Sequence, residues 1–114
     1  MFKVSISQGQ VVLKLEGAKK VLALKSTIKI PLKSIKSVSL RPPKWSFLGL
    51  RAGTYFPGVM MAGTLWTRSG KEFYYVRDPS KCVTLTLSGH EYAKVVFQVD
   101  NREKVASQIS KALR

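Results

Sequence analysis

The stretch "VTLTLSGHEYAKVVFQVDNREKVASQI", residues 83–109, decides the fold that the sequence predicts. Its first part alternates apolar residues with threonine, and Val95, Phe97 and Val99 repeat the two-residue period further along. A period of two is typical of a β-strand with one buried face. Because the turn-forming residues 88–91 separate the two runs, the pattern predicts a β-hairpin.

The second part of the stretch changes to the period of a helix. Val105 and Ile109 are four residues apart, and the apolar stripe continues to Ala112 and Leu113. Asp100, followed three residues later by Glu103, matches a capping box in which Asp100 is the N-cap. The sequence therefore predicts one amphipathic α-helix over residues 101–113, with one face to bury.

Upstream of the hairpin, most of the chain has the same strand-like alternation. Turns are predicted at Gln8-Gly9 and Ser69-Gly70, and a single helical turn follows Pro31. Residues 17–25 are the exception, because their spacing favours a short helix over a strand. We therefore predict a mainly β protein with about seven short strands. They would form strongly bent antiparallel sheets or a partly open barrel, capped by helix 101–113.

Length and composition are those of a single domain spanning residues 1–114. Of the 114 residues, 45% are hydrophobic, which is enough to bury a modest core without disulfides. The one cysteine, Cys82, cannot form an intramolecular disulfide, as is usual in a reducing compartment. No apolar run is long enough for a signal peptide or a membrane span. These features predict a cytoplasmic protein.

The charge balance is unusual. Twenty Lys and Arg residues stand against six acidic residues, giving a formal net charge of +14. Such a chain attracts nucleic acid, anionic lipid headgroups and acidic proteins. A general adaptation to the host cell explains the same number, so the charge alone selects no partner.

Three stretches share one pattern: "IPLKSIKSVSL", "LRAGTYFPGVMMAGTLWTRSGKEFYYVR" and the opening stretch. The pattern consists of Gly53-Thr54, Pro57-Gly58, Gly63-Thr64, Gly70-Lys71, Phe73, Tyr92 and Val99-Asp100. With this pattern, roughly residues 28–110 resemble a family of small, uncharacterised prokaryotic pleckstrin-homology (PH)-like proteins. The resemblance implies a PH-like barrel that acts as an interaction module. Eukaryotic PH domains bind phosphoinositides with a cluster of Lys and Arg between their first two strands. Lys14, Lys19, Lys20 and Lys25 lie in the corresponding region here but do not have that spacing.

The sequence contains no recognisable catalytic or metal-binding motif. Its only histidine, His90, lies at the predicted hairpin tip, where an exposed turn residue is expected. Cys82 has no base beside it in the sequence, and a free cysteine usually behaves as a small buried hydrophobe. The acidic residues are scattered, so no metal cluster is predicted. We therefore predict a protein that is not an enzyme and holds no metal or cofactor.

The segment of residues 41–51 is the predicted contact region. Its two consecutive prolines suppress ladder hydrogen bonds, so a loop is expected there. Aromatic and apolar side chains at its tip, flanked by cations, suit a protein contact or a lipid headgroup boundary. The candidate contact residues are Arg41, Lys44, Trp45, Phe47, Leu48 and Arg51.

A series of lysines forms a candidate anion-binding surface. Its members are Lys19, Lys20, Lys25, Lys29, Lys33 and Lys36. Lys29 alternates with Ile28 and Ile30, which predicts that it lies on the solvent face of a strand. If the same sheet face carried Lys3 and Lys14, it would form a broad positive surface.

Together these features predict an interaction module that contacts a protein partner or a second copy of itself, through the 41–51 loop and the basic surface. Peripheral binding to anionic membrane lipids is the alternative, which would place the protein at the membrane surface. Nucleic-acid binding is a weaker third reading, because no RNA- or DNA-binding motif accompanies the basic residues.

Overall fold

The computed structural model describes residues 2–15, 27–41, 50–56, 60–67 and 70–113. They form nine strands and one α-helix: β1 (Phe2–Ser7), β2 (Gln10–Leu15), β3 (Thr27–Pro31), β4 (Ile35–Ser39), β5 (Leu50–Phe56), β6 (Met60–Thr67), β7 (Gly70–Val76), β8 (Cys82–Leu87), β9 (Tyr92–Gln98) and α1 (Arg102–Ala112). Two single 3₁₀ turns, Leu32–Ser34 and Pro79–Lys81, precede β4 and β8. The prediction of a mainly β chain with a C-terminal helix is confirmed. The predicted helix of residues 17–25 lies outside the described residues.

Strands β1, β2 and β3 form a small antiparallel sheet in that order. The β1–β2 turn places Gln8 at φ 52° and Gly9 at φ 74°. Two consecutive positive φ values define the turn type whose twist matches that of a two-residue hairpin. One face of the sheet buries Val11, Leu13 and the isoleucines of β3, so the other face is directed to solvent.

The other six strands form a large sheet in the order β4-β8-β9-β7-β6-β5. The two hairpins expected at the turns near Gly70 and Gly89 are confirmed as the β6–β7 and β8–β9 pairs. The expectation of purely antiparallel sheets is wrong, because β7 and β9 pair in parallel. The described strands also form two sheets, not a closed barrel.

The parallel pair follows from the path of the chain between β7 and β8. Residues 77–81 connect β7 to β8, which lies two positions away from β7 in the large sheet. The β8–β9 hairpin then places β9 in the position between them, directly beside β7. The Gln98 side chain supports this connection. Its Oε1 accepts hydrogen bonds from the backbone N–H groups of Arg77 at 2.7 Å and Asp78 at 2.8 Å. The N–H of Val99 donates to the Lys81 carbonyl at 3.1 Å.

The main core lies between the inner faces of the two sheets and the helix. Large buried side chains come from the small sheet, such as Leu13, from the large sheet, such as Phe73, and from α1 through Ile109. Full burial of one such side chain stabilises the fold by about 1.5–3 kcal/mol. The opposite face of the large sheet carries a second buried cluster: Leu65, Tyr74, Val76, Cys82 and Val96. Strands β7 and β9 are therefore buried on both faces, as expected for strands of a parallel pair.

The start and the buried face of α1 differ from the prediction in detail. Asn101, and not Asp100, is the N-cap, and its side chain accepts a hydrogen bond from the Lys104 N–H at 3.1 Å. Ala106 and Ile109 are the buried helix residues, whereas Leu113 is 38% exposed. The apolar stripe of the sequence therefore continues past the part of the helix that is covered.

Candidate functional site

Three exposed lysines share the outer face of the small sheet, and we call Lys3, Lys14 and Lys29 the lysine face. Lys3 is directly opposite Lys14 in the β1–β2 pair. Lys29 is opposite Val12 in the β2–β3 pair, which places it diagonally next to Lys14. All three residues are exposed, and strands β1, β2 and β3 contain no acidic residue. The fold therefore assembles a continuous positive surface from three separate segments.

The sheet tolerates this arrangement at some cost in stability. Like charges directly opposite each other in an antiparallel pair are destabilising by a few tenths to about 1 kcal/mol. Lys3 and Lys14 form such a pair, and their strands contribute no carboxylate to neutralise it. The Lys3–Lys14 pair therefore does not help to hold β1 and β2 together.

The other predicted anion-binding lysines are distributed differently. Lys33 is exposed in the 3₁₀ turn that follows β3, and Lys36 is exposed on β4 of the large sheet. They extend the positive charge along the chain beyond the lysine face without belonging to it. Lys19, Lys20 and Lys25 lie outside the described residues.

Of the predicted contact loop, only its two ends are described. Arg41 is exposed, and its backbone N–H donates to Ser39 Oγ at 3.1 Å. Arg51 lies within β5. Lys44, Trp45, Phe47 and Leu48 lie outside the described residues, so their part in a contact surface stays a prediction.

A second group of surface residues, not predicted from the sequence, lies near the turns of the large sheet. Trp66 is 44% exposed and directly opposite Lys71 in the β6–β7 pair. Lys71 Nζ lies 5.4 Å from the centre of the Tyr92 ring and 3.9 Å from Glu91 Oε1. The position of Trp66 just before the predicted turn, where strands reach solvent, was the signal that could have revealed it.

His90 connects the two sheets. Its Nδ1 accepts the Tyr92 N–H at 3.0 Å, so in the neutral ring the proton is on Nε2. Nε2 lies 3.1 Å from the Lys29 carbonyl oxygen, to which it donates. The histidine is half-buried and hydrogen-bonded on both nitrogens, and it ties the β8–β9 turn to the strand that carries Lys29.

The chain's one cysteine is buried, and the described residues contain no group of side chains suited to a metal ion. Cys82 is buried, as expected, and burial, followed by the negative charge of Asp78, raises its pKa to about 12. A thiol with such a pKa stays protonated and unreactive at neutral pH. The His, Cys, Asp and Glu side chains of these residues do not gather in threes that could bind a metal ion. Within the same part of the chain, no helix is long and apolar enough to cross a membrane.

Comparison with known proteins places the chain in no family: no protein-family model, no curated protein and no solved structure matches it.

Proposed function

We propose that this protein is a non-catalytic interaction module that binds an acidic surface of a partner protein through the lysine face. The observation that carries the proposal is the convergence of Lys3, Lys14 and Lys29 on three adjacent strands that have no acidic residue. The face is built on paired strands, so its charges are held in a fixed pattern that can match a pattern of carboxylates.

The binding free energy that three lysines contribute is too small for tight binding of a simple anion. This favours a partner protein, which can make further contacts. Each lysine near an anionic surface contributes about 1 kcal/mol, so three contribute about 3 kcal/mol. A micromolar complex needs about 8 kcal/mol. The lysine face therefore steers and orients the partner, while further contacts supply most of the affinity. The predicted 41–51 loop is a candidate for those contacts.

The side chains beside the three lysines help to decide between a protein, a lipid surface and a nucleic acid as the partner. The other outward-facing side chains of the small sheet are polar, such as Ser5 and Thr27, apart from the half-buried Val12 and Pro31. None of the described outward-facing side chains on these strands is aromatic, so none of them could stack on bases or enter a lipid boundary as an aromatic ring does. Pairing of two lysine faces is opposed by a charge of +14 on each copy, so self-association would use another surface.

The proposal is tested with two variants of equal net charge. Lys14→Glu/Lys29→Glu alters the lysine face, whereas Lys81→Glu/Lys104→Glu changes exposed lysines elsewhere. We expect the lysine-face variant to elute from immobilised polyglutamate at clearly lower salt than the control variant. Equal elution would show that net charge, and not this face, binds acidic polymers. Tighter binding to phosphatidylserine vesicles or to a DNA oligonucleotide than to polyglutamate would overturn the choice of a protein partner.

A further inference from the structure

An open groove lies between the first strand and the C-terminal helix. A cavity of about 380 Å³ is lined by Val4, Ser5 and Ile6 of β1 and by Gln108 and Lys111 of α1. Ile6 is 37% exposed although its neighbours Val11 and Leu13 on the same sheet face are fully buried. The groove therefore presents apolar surface on one side and a polar, positively charged helix on the other.

The wall of this groove is a sheet edge. Among the described strands, β1 pairs only with β2, and none of the others pairs with its opposite side. Ser7 and Gln10 close the two-residue turn as a hydrogen-bonded pair, and such pairs alternate along an antiparallel ladder. Ser5 and Lys3 therefore direct their backbone groups toward β2, whereas Val4 and Ile6 direct theirs away from it. The outward N–H and C=O groups belong to two residues that line the cavity.

The side chains around the groove define what would fit. A strand added antiparallel to β1 would alternate its side chains between two environments. Residues opposite Val4 and Ile6 would face the apolar side and the helix, whereas the residues between them would face outward beside Lys3. Lys111 gives the helix side of the groove a positive charge, Lys3 lies beside the groove on the outer face of β1, and none of the described residues that line the cavity is acidic.

We propose that an extended segment of a partner protein, with alternating apolar and acidic residues, binds in this groove as a fourth strand of the small sheet. Main-chain hydrogen bonds to Val4 and Ile6 would supply affinity, and the alternation of side chains would supply specificity. This inference goes beyond the proposed function, because it rests on the edge of the sheet and the helix and shares only Lys3 with the lysine face. Each proposal can fail without the other.

A peptide of alternating glutamate and valine, fluorescently labelled and followed by anisotropy, is a suitable probe. In an antiparallel pair with β1, the valine N–H groups point to the protein and the glutamate N–H groups point away. We therefore expect N-methylation of the valines to weaken binding by about tenfold or more and N-methylation of the glutamates to have little effect. The reverse pattern would show strand addition in the parallel direction. Equal binding of both methylated peptides, or no binding of the unmodified peptide, overturns the proposal.

Two pairs of protein variants locate the binding site. Ile6→Pro removes an N–H that points away from β2, so the hairpin is retained, and Ile6→Thr is the control that keeps this N–H. Lys111→Glu reverses a charge in the groove, and Lys104→Glu makes the same change on the helix outside the cavity lining. We expect only Ile6→Pro and Lys111→Glu to weaken peptide binding strongly. Full binding by Lys111→Glu would overturn the site even if Ile6→Pro failed to fold.

The lysine-face variant separates this inference from the proposed function. Lys14 and Lys29 do not line the groove, although Lys14→Glu places a carboxylate directly opposite Lys3 and so weakens the attraction of Lys3 for the peptide. The Lys14→Glu/Lys29→Glu variant should therefore lose clearly less peptide affinity than Lys111→Glu. A loss as large as that of Lys111→Glu would show that the peptide binds the lysine face and not the groove.

Discussion

Gln98 is the polar side chain that supports the connection between β7 and β8. It is 5% exposed, and its one oxygen accepts the backbone N–H groups of Arg77 and Asp78. A buried N–H without an acceptor costs about 1–3 kcal/mol, which is more than an ordinary hydrogen bond contributes net. A single side chain therefore supplies the hydrogen-bond acceptor for two backbone N–H groups in the segment that connects β7 to β8.

Replacing Gln98 by leucine should destabilise the protein by about 2–4 kcal/mol, because both N–H groups lose their acceptor. Gln98→Glu keeps an oxygen at the same position and should cost clearly less at neutral pH. Urea unfolding of the two variants measures the difference. Equal unfolding midpoints for Gln98→Leu and the unchanged protein would show that this contact contributes nothing.

Cys82 makes stability depend on pH in the alkaline range. Its pKa is raised from 9.0 to about 12, mainly by burial, so the folded state holds the thiol proton more tightly than the unfolded chain does. The contribution to stability is therefore complete below about pH 9 and is lost as pH rises toward about 12. Between these values, the free energy of unfolding should fall less steeply with pH in Cys82→Ala than in the unchanged protein. Parallel curves for the two proteins would contradict this assignment.

At the scale of elements, the helix start offers a direct comparison of two neighbouring residues. The sequence pattern predicted Asp100 as the N-cap, but the Asn101 side chain makes the capping hydrogen bond to the Lys104 N–H. Asn101→Ala should therefore destabilise the protein by about 1 kcal/mol, whereas Asp100→Ala should change stability by less than about 0.5 kcal/mol. Thermal unfolding of both variants checks this, and a larger loss in Asp100→Ala would restore the sequence-based assignment.

The elements themselves were largely predictable, because their signals are local. The two-residue turn at Gln8-Gly9, the 3₁₀ turn after Pro31 and the hairpin around Gly89 all appear where the sequence places them. The burial of Tyr74 and Val96 was not predictable in the same way. Strict alternation predicts one buried face, and only the position of β7 and β9 in the middle of the large sheet buries the second face.

At the scale of the whole molecule, the lysines of the lysine face repel one another, and the net charge of +14 adds to this repulsion. Lys14→Glu would place a carboxylate directly opposite Lys3 and remove a like-charge pair. It should raise stability by about 0.5–1 kcal/mol at low salt, although it removes part of the proposed binding face. Lys36→Glu makes the same charge change outside the small sheet and should stabilise less.

Thermal unfolding at low and high salt measures this difference. The advantage of Lys14→Glu over Lys36→Glu should shrink as salt rises from about 20 mM to about 500 mM, because exposed charges are screened. An equal Tm for the two variants at low salt would mean that only net charge matters and that the Lys3–Lys14 pair has no effect of its own.

The sequence by itself determined the class of the fold, the position of most strands and turns, and the solvent-facing place of Lys29, because these depend on neighbours within a few residues. Only the tertiary structure decided that Lys3 and Lys14 join Lys29 on one face, that β9 enters beside β7 in parallel, and that β1 leaves an open groove beside the helix. Each of these depends on the pairing of segments distant in sequence. A period of two shows which residues share a face of one strand, but it does not show which strands become neighbours.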